Sequence, residues 1–164
     1  VISYENIGTR MTLLLPLDEE EIAAASYPET ETVLMPVFAS RSKAYYWPLE
    51  GEITSRFGPR GRGFHSGLDI AADSGSLIYA AAAGYVVESG WKNDAYGYTV
   101  MLEHDNGRHT LYGHCSALLV SAGDTVRRGQ SIAQVGSTGN STGAHLHFEL
   151  RINNECVDPL DYLR

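Results

Sequence analysis

From Trp47 to its end, the chain has no stretch of eleven or more residues with an apolar period of 3.6. Short β-like runs separated by glycine turns take its place. Residues 97–104 and 108–112 alternate apolar with polar side chains and flank Asp105-Asn106-Gly107, and Asn-Gly between alternating runs is a strong local hairpin signal. Residues 77–87, 125–135 and 144–152 supply further strands. Seventeen glycines against six prolines suit the tight turns of such a fold. The pattern predicts a mainly β, antiparallel domain, either two packed sheets in a sandwich or a partly open barrel.

Residues 1–47 have a different texture, with seven acidic and three basic residues and a single glycine, Gly8. Residues 18–25 read as a short helix. Asp18 caps it, three glutamates in its first turn suit the positive end of the helix dipole, and Tyr27-Pro28 ends it. Residues 30–38 read as extended, with Pro36 placing them at a sheet edge. The division predicted is an N-terminal arm, or the remnant of an upstream region, over 1–47 and a β domain over 48–164.

Twelve basic against 20 acidic residues give a net charge of −8, which argues against nucleic acid and anionic lipid as partners. The longest uncharged apolar run, 77–87, is far short of the ~20 residues that a membrane helix needs, so no membrane contact is expected from this segment. Val1 is not an initiator Met, so the chain reads as a trimmed piece, and any export signal, anchor or wall-targeting region would lie upstream of it. Two cysteines, Cys115 and Cys156, read as buried thiols, with one disulfide as the alternative.

Candidate chemistry concentrates in 144–152. Period two places Leu146, Phe148, Leu150 and Ile152 on a core face, with His145, His147, Glu149 and Arg151 on the other. Two imidazoles ~6.6 Å apart at Cα can aim into one cleft. His65 and Asp69 add a second cluster. In a straight strand they lie ~13 Å apart, so sharing an ion requires a bend, which Gly63 and Gly67 permit. His114 ends the return strand of the hairpin.

Phe57-Gly58-Pro59-Arg60, His65-x-x-x-Asp69, Tyr112-x-His114, Gly136-Ser137-Thr138-Gly139 and His145-x-His147 occur in the order found in the lysostaphin/LytM-type zinc endopeptidases. The region 48–162 resembles that family, with Val157-Asp158-Pro159-Leu160 near its end. The resemblance implies the family's duplicated-hybrid β fold and one Zn²⁺ per chain held by His65, Asp69 and His147. It also implies His114 and His145 as active-site residues, to orient or deprotonate the water, stabilise the oxyanion and protonate the leaving amine. The sequence does not divide these roles between them, and the reading leans to His145 as the base-like partner and His114 as the stabiliser. Two His and one carboxylate leave a position open for water, as a catalytic rather than a structural zinc site requires. The implied reaction is hydrolysis of peptide bonds in cross-bridges or stem peptides of bacterial peptidoglycan, at an extracytoplasmic location.

Rival readings share these residues. Proteins resembling the family also serve as activators of wall hydrolases or as pieces of sporulation channels. Residues 123–135 resemble half of a biotinyl or lipoyl carrier, but Lys43 and Lys92 are the only lysines and neither sits in a hairpin tip. Two His and a carboxylate also match the iron facial triad, against which the two further histidines weigh. Tyr96, Tyr98 and Arg60 are candidate substrate contacts. Trp91 is a weaker one, and Arg56 and Arg62 read as solvated charges beside Arg60. Glu149 reads as either a support for the site or a surface carboxylate. His104 and His109 read as a solvated hairpin tip.

Overall fold

The computed structural model describes residues 2–6, 9–13, 45–61 and 63–164. The helix expected over 18–25 and the extended segment over 30–38 lie outside the described residues. The chain divides into two units, Val1–Ala39 and Ser40–Arg164. In the first, β1 (Ile2–Asn6) pairs antiparallel with β2 (Thr9–Leu13).

The second unit is built from β3 (Glu52–Ser55), β4 (Gly58–Arg60), β5 (Gly63–His65), β6 (Leu68–Ala71), β7 (Leu77–Tyr79), β8 (Gly84–Asn93), β9 (Gly97–His104), β10 (Arg108–Leu118), β11 (Thr125–Val126), β12 (Ser131–Val135), β13 (His145–Ile152) and β14 (Glu155–Val157). All strand pairings in it are antiparallel. The main path runs β11-β8-β9-β10-β13-β6-β3, β4 and β5 form a separate hairpin, and the path does not close into a barrel. Among the described residues, helix is confined to two 3₁₀ turns, Asp105–Gly107 and Pro159–Asp161, so none is long and apolar enough to cross a membrane.

Strand β10 changes partners midway. Residues 108–113 pair with β13, while Cys115–Leu118 turns to β12. A break in register between Tyr112 and Cys115 makes the corner. The core draws on β6, β9 and β13: Leu68, Ile70, Val100, Leu102, Leu146 and Phe148 are essentially inaccessible. Full burial of each large side chain contributes about 1.5–3 kcal/mol. Tyr45 also belongs to this unit. Its backbone bridges to Leu163, and its ring is buried.

One polar chain crosses the core. The Ala81 amide donates to Tyr112 Oη (2.9 Å), which lies 3.0 Å from Thr110 Oγ1. Thr110 Oγ1 lies 2.8 Å from His104 Nε2, and His104 Nδ1 donates to the Ala83 carbonyl at 2.7 Å. His104 is therefore not a solvated tip residue. Strand β9 stays paired up to the turn, so its last side chain points inward against the Tyr45 ring, 5.5 Å away. Burial lowers its pKa. His109 is half-buried too, and its Nδ1 has no hydrogen-bond partner.

Tyr112→Phe keeps the ring but orphans the Ala81 amide. It should cost about 1–3 kcal/mol of unfolding free energy, measured by denaturant titration with an unchanged m-value.

Candidate metal centre and active-site cleft

The sheet register brings the first two residues of the site together: β13 pairs with β6 so that His147 lies opposite Asp69. His65 arrives from the other end of a sharp break. Strand β5 stops at His65, and Ser66-Gly67 turn the chain before β6 begins. Gly67 is required there by space. A Cβ at this position would sit 2.4 Å from the Phe148 carbonyl oxygen and 2.9 Å from His147 Cε1. The bend that spacing demanded thus brings His65 Nε2 to 3.1 Å from Asp69 Oδ1 and 3.2 Å from His147 Nδ1. His147 Nδ1 is 2.9 Å from the same Asp69 oxygen.

The outer nitrogens decide what the inner ones can do. A backbone carbonyl and an ionised carboxylate only accept hydrogen bonds, so the ring nitrogen facing either one carries the proton. His65 Nδ1 donates to the Arg56 carbonyl at 2.9 Å, and His147 Nε2 donates to Glu149 Oε1 at 3.1 Å. With both rings neutral, both inner nitrogens present lone pairs to an Asp69 oxygen that is itself an acceptor. Three acceptors in mutual contact, nearly excluded from water, repel one another unless they share a proton or a metal cation. Two imidazoles and one carboxylate suit a divalent transition metal and leave further positions open.

The surrounding charge agrees. Burial raises the Asp69 pKa, but the hydrogen bond and charge of His147, the charge of His65 and the Arg60 hydrogen bond (Nη2 to Oδ2, 2.7 Å) outweigh it. They hold the carboxyl well below its usual range. Burial pushes the His65 pKa down and favours the neutral ring that a metal needs. Burial also lowers that of His147, but Asp69 and Glu149 prevail and raise it, as expected where a positive charge belongs.

Two further imidazoles face the same space. His114 occupies the corner of β10 with φ 63°, a left-handed conformation rare outside glycine. Its amide donates to the Tyr96 carbonyl at 2.8 Å and its Nδ1 to the Thr138 carbonyl at 2.7 Å. His145 opens β13, and its Nδ1 donates to the Gly143 carbonyl at 2.8 Å. The two rings are 4.6 Å apart at their centroids. Each keeps Nε2 for the cleft, and His145 Nε2 is 3.9 Å from Asp69 Oδ1. Burial lowers the His114 pKa.

The cleft encloses about 480 Å³ and is lined by the four histidines, Asp69, Arg60, Phe64, Tyr96 and the loop 140–142. A second hollow of about 370 Å³ lies beside it and shares Arg60, Asp69, Thr142 and His145. Tyr98 lies outside both hollows. It packs edge-on against Trp91, 5.3 Å away, and is 43% exposed. Arg56 contributes its carbonyl rather than its charge, and Arg62 lies outside the described residues. Cys115 is buried in the core, its thiol pushed up to about 12, and neither it nor Cys156 is in a disulfide. The orienting carbonyls of Arg56, Thr138 and Gly143 escaped sequence reasoning, because no side chain announces a carbonyl. The glycine-rich loop 136–143 was the only hint of the last two.

Gly67→Ala should cost about 1–3 kcal/mol of stability by overpacking against β13, read by denaturant unfolding, and should weaken metal binding with it because His147 must move.

Residues 63–159 match Peptidase family M23. Among curated relatives, the chain is 42% identical over 117 residues to a protein of Pseudomonas aeruginosa named lipoprotein NlpD/LppB homolog, covering 71% of this chain and 39% of the relative. It is 48% identical over 96 residues to the DD-carboxypeptidase/endopeptidase Mpg of Neisseria meningitidis, covering 58% and 22%. It is 38% identical over 120 residues to the murein hydrolase activator NlpD of Salmonella dublin, covering 73% and 31%. The matches thus span less than two fifths of these relatives' own lengths. Among solved structures, the catalytic domain of lysostaphin from Staphylococcus simulans superposes with a TM-score of 0.63 at 34% identity, covering 67% of this chain and 90% of that one. A zinc-containing peptidase from Vibrio cholerae gives 0.66 at 33%, covering 73% and 39%.

Proposed function

The chain belongs to peptidase family M23, and from that premise we propose that it is a zinc-dependent endopeptidase cutting cross-bridges or stem peptides of bacterial peptidoglycan outside the cytoplasm. The observation that carries this reading is the convergence of five cleft-facing groups with their lone pairs pre-set. His65, Asp69 and His147 would hold the metal, and His114 and His145 stand beside it. Zinc bound there supplies a Lewis acid that polarises a peptide carbonyl and brings the pKa of water to about 7.

The chain's own residues then handle protons and position. With both Nδ1 protons committed to carbonyls, His114 and His145 can exchange a proton only at Nε2. A neutral ring there accepts the proton of an attacking water. Once protonated, the same ring becomes a donor, to the oxygen gaining charge or to the leaving amine. Arg60 and Tyr96 flank the cleft where an extended peptide would lie. The substrate class and the location draw on the lysostaphin likeness and on relatives named for murein and lipoproteins.

A second reading, a metal-binding activator of other wall hydrolases, is favoured by the relative named an activator. Digestion of purified peptidoglycan by the zinc-loaded chain, followed by mass analysis of released muropeptides, separates the two. The endopeptidase reading expects products that EDTA abolishes and that His145→Ala reduces by about 10²–10⁴-fold. One zinc per chain with no products, from the whole chain and from a chain lacking the first unit, residues 1–39, would overturn the endopeptidase reading and favour a non-catalytic scaffold or activator.

A further inference from the structure

We propose that Glu149 is a positioning residue of the metal centre: it holds the Nε2 proton of His147 and so commits Nδ1 to the metal. The proposal rests on the metal-binding reading of the cleft. Three of the four cleft imidazoles are oriented by backbone carbonyls, those of Arg56, Thr138 and Gly143. His147 alone has no carbonyl behind it and depends on a side chain, whereas the Ser55 and Ser141 hydroxyls near His65 and His145 only supplement carbonyls. The reason lies in its place. It sits within β13, which is paired on one side with β6 through Asp69 and on the other with β10 through Gly113, so the nearby carbonyls serve the sheet. A side chain two residues along the strand shares its face and can reach Nε2.

Glu149 is built for that task. Its side chain is fully buried. Oε1 accepts from the Ser66 hydroxyl, from Tyr96 Oη at 2.8 Å and from His147 Nε2 at 3.1 Å. Oε2 accepts from Arg151 Nε at 2.8 Å and from Arg151 Nη2. Every neighbour donates, and the guanidinium balances the charge. The opposite His147 tautomer would set an Nε2 lone pair against a carboxylate oxygen and aim an N–H at the metal. Hydrogen bonds of this kind fix which ring nitrogen binds and raise its basicity. A plain buried ion pair between Glu149 and Arg151 would need neither Ser66, Tyr96 nor His147.

Glu149→Gln tests this. Arg151 claims the amide oxygen, leaving the NH₂ to face His147 Nε2, where it cannot accept a proton. In the full chain, zinc affinity measured against a chromophoric chelator should fall about 10–100-fold. In the zinc-loaded wild type, the His147 Nε2–H should give a downfield, exchange-protected proton resonance, which the variant shifts or loses. Tyr96→Phe, which removes one donor but leaves the acceptor, should change affinity by less than about threefold. A folded Glu149→Gln chain with wild-type affinity, or with the proton resonance unmoved, overturns the proposal. So does a zinc-loaded wild type lacking a protected His147 Nε2–H, whether or not the variant folds. A wild type that binds no zinc would instead remove the metal-binding reading beneath it.

Discussion

Pairing between β13 and β6 places His147 against Asp69, and the rest of the site is arranged around that register. A slip of one residue would turn His147 into the core and bring Leu146 or Phe148 into the cleft, because side chains alternate faces. The apolar face of β13 prevents the slip. Leu146, Phe148 and Leu150 are almost wholly inaccessible, and exposing all three would cost several kcal/mol. The hydrophobic core therefore sets the position of two metal-binding candidates without contacting a metal. Gly67 extends the constraint to His65, since only a residue without Cβ lets the turn close against the Phe148 carbonyl.

Orientation of the imidazoles comes from a different source. Position along a strand fixes where a ring sits, and the acceptor behind it fixes which nitrogen faces the cleft. Backbone carbonyls perform this at His65, His114 and His145, and they cannot be titrated away. At His147 the ladder leaves none free, and a buried carboxylate takes their place. The centre thus depends on fold and on charge in unequal parts.

The sequence made some of this legible and hid the rest for physical reasons. Alternation in 144–152 and the Asn-Gly turn revealed the strand and the hairpin because period two is a local property. The approach of His65 to Asp69 could not be read from spacing. A straight strand separates them by ~13 Å, and only the order of motifs along the chain pointed to their meeting. Glu149 stood undecided between support and surface because its partners Ser66 and Tyr96 come from distant segments. His104 was misread because nearness to a turn suggests solvent, whereas β9 remains paired up to that turn. Tyr98 reads as a groove residue beside Tyr96, yet Gly97, at φ 66°, turns the backbone between them where β9 begins, and Tyr98 packs against Trp91 instead.

The backbone at His114 bears on whether the centre turns over. The corner where β10 leaves β13 for β12 requires a left-handed residue, and glycine would supply one without strain. A histidine there costs of order 1 kcal/mol or more. Its ring is not among the three metal-holding candidates, and its amide bond to Tyr96 would be equally available to glycine. The side chain supplies two things that glycine could not: an Nδ1 hydrogen bond to the Thr138 carbonyl, which ties the corner to the 136–143 loop, and an Nε2 beside His145 at the edge of the acceptor cluster. The first serves the fold alone, whereas the second is of use to the proton transfer that the proposed hydrolysis would require and that metal binding by itself would not.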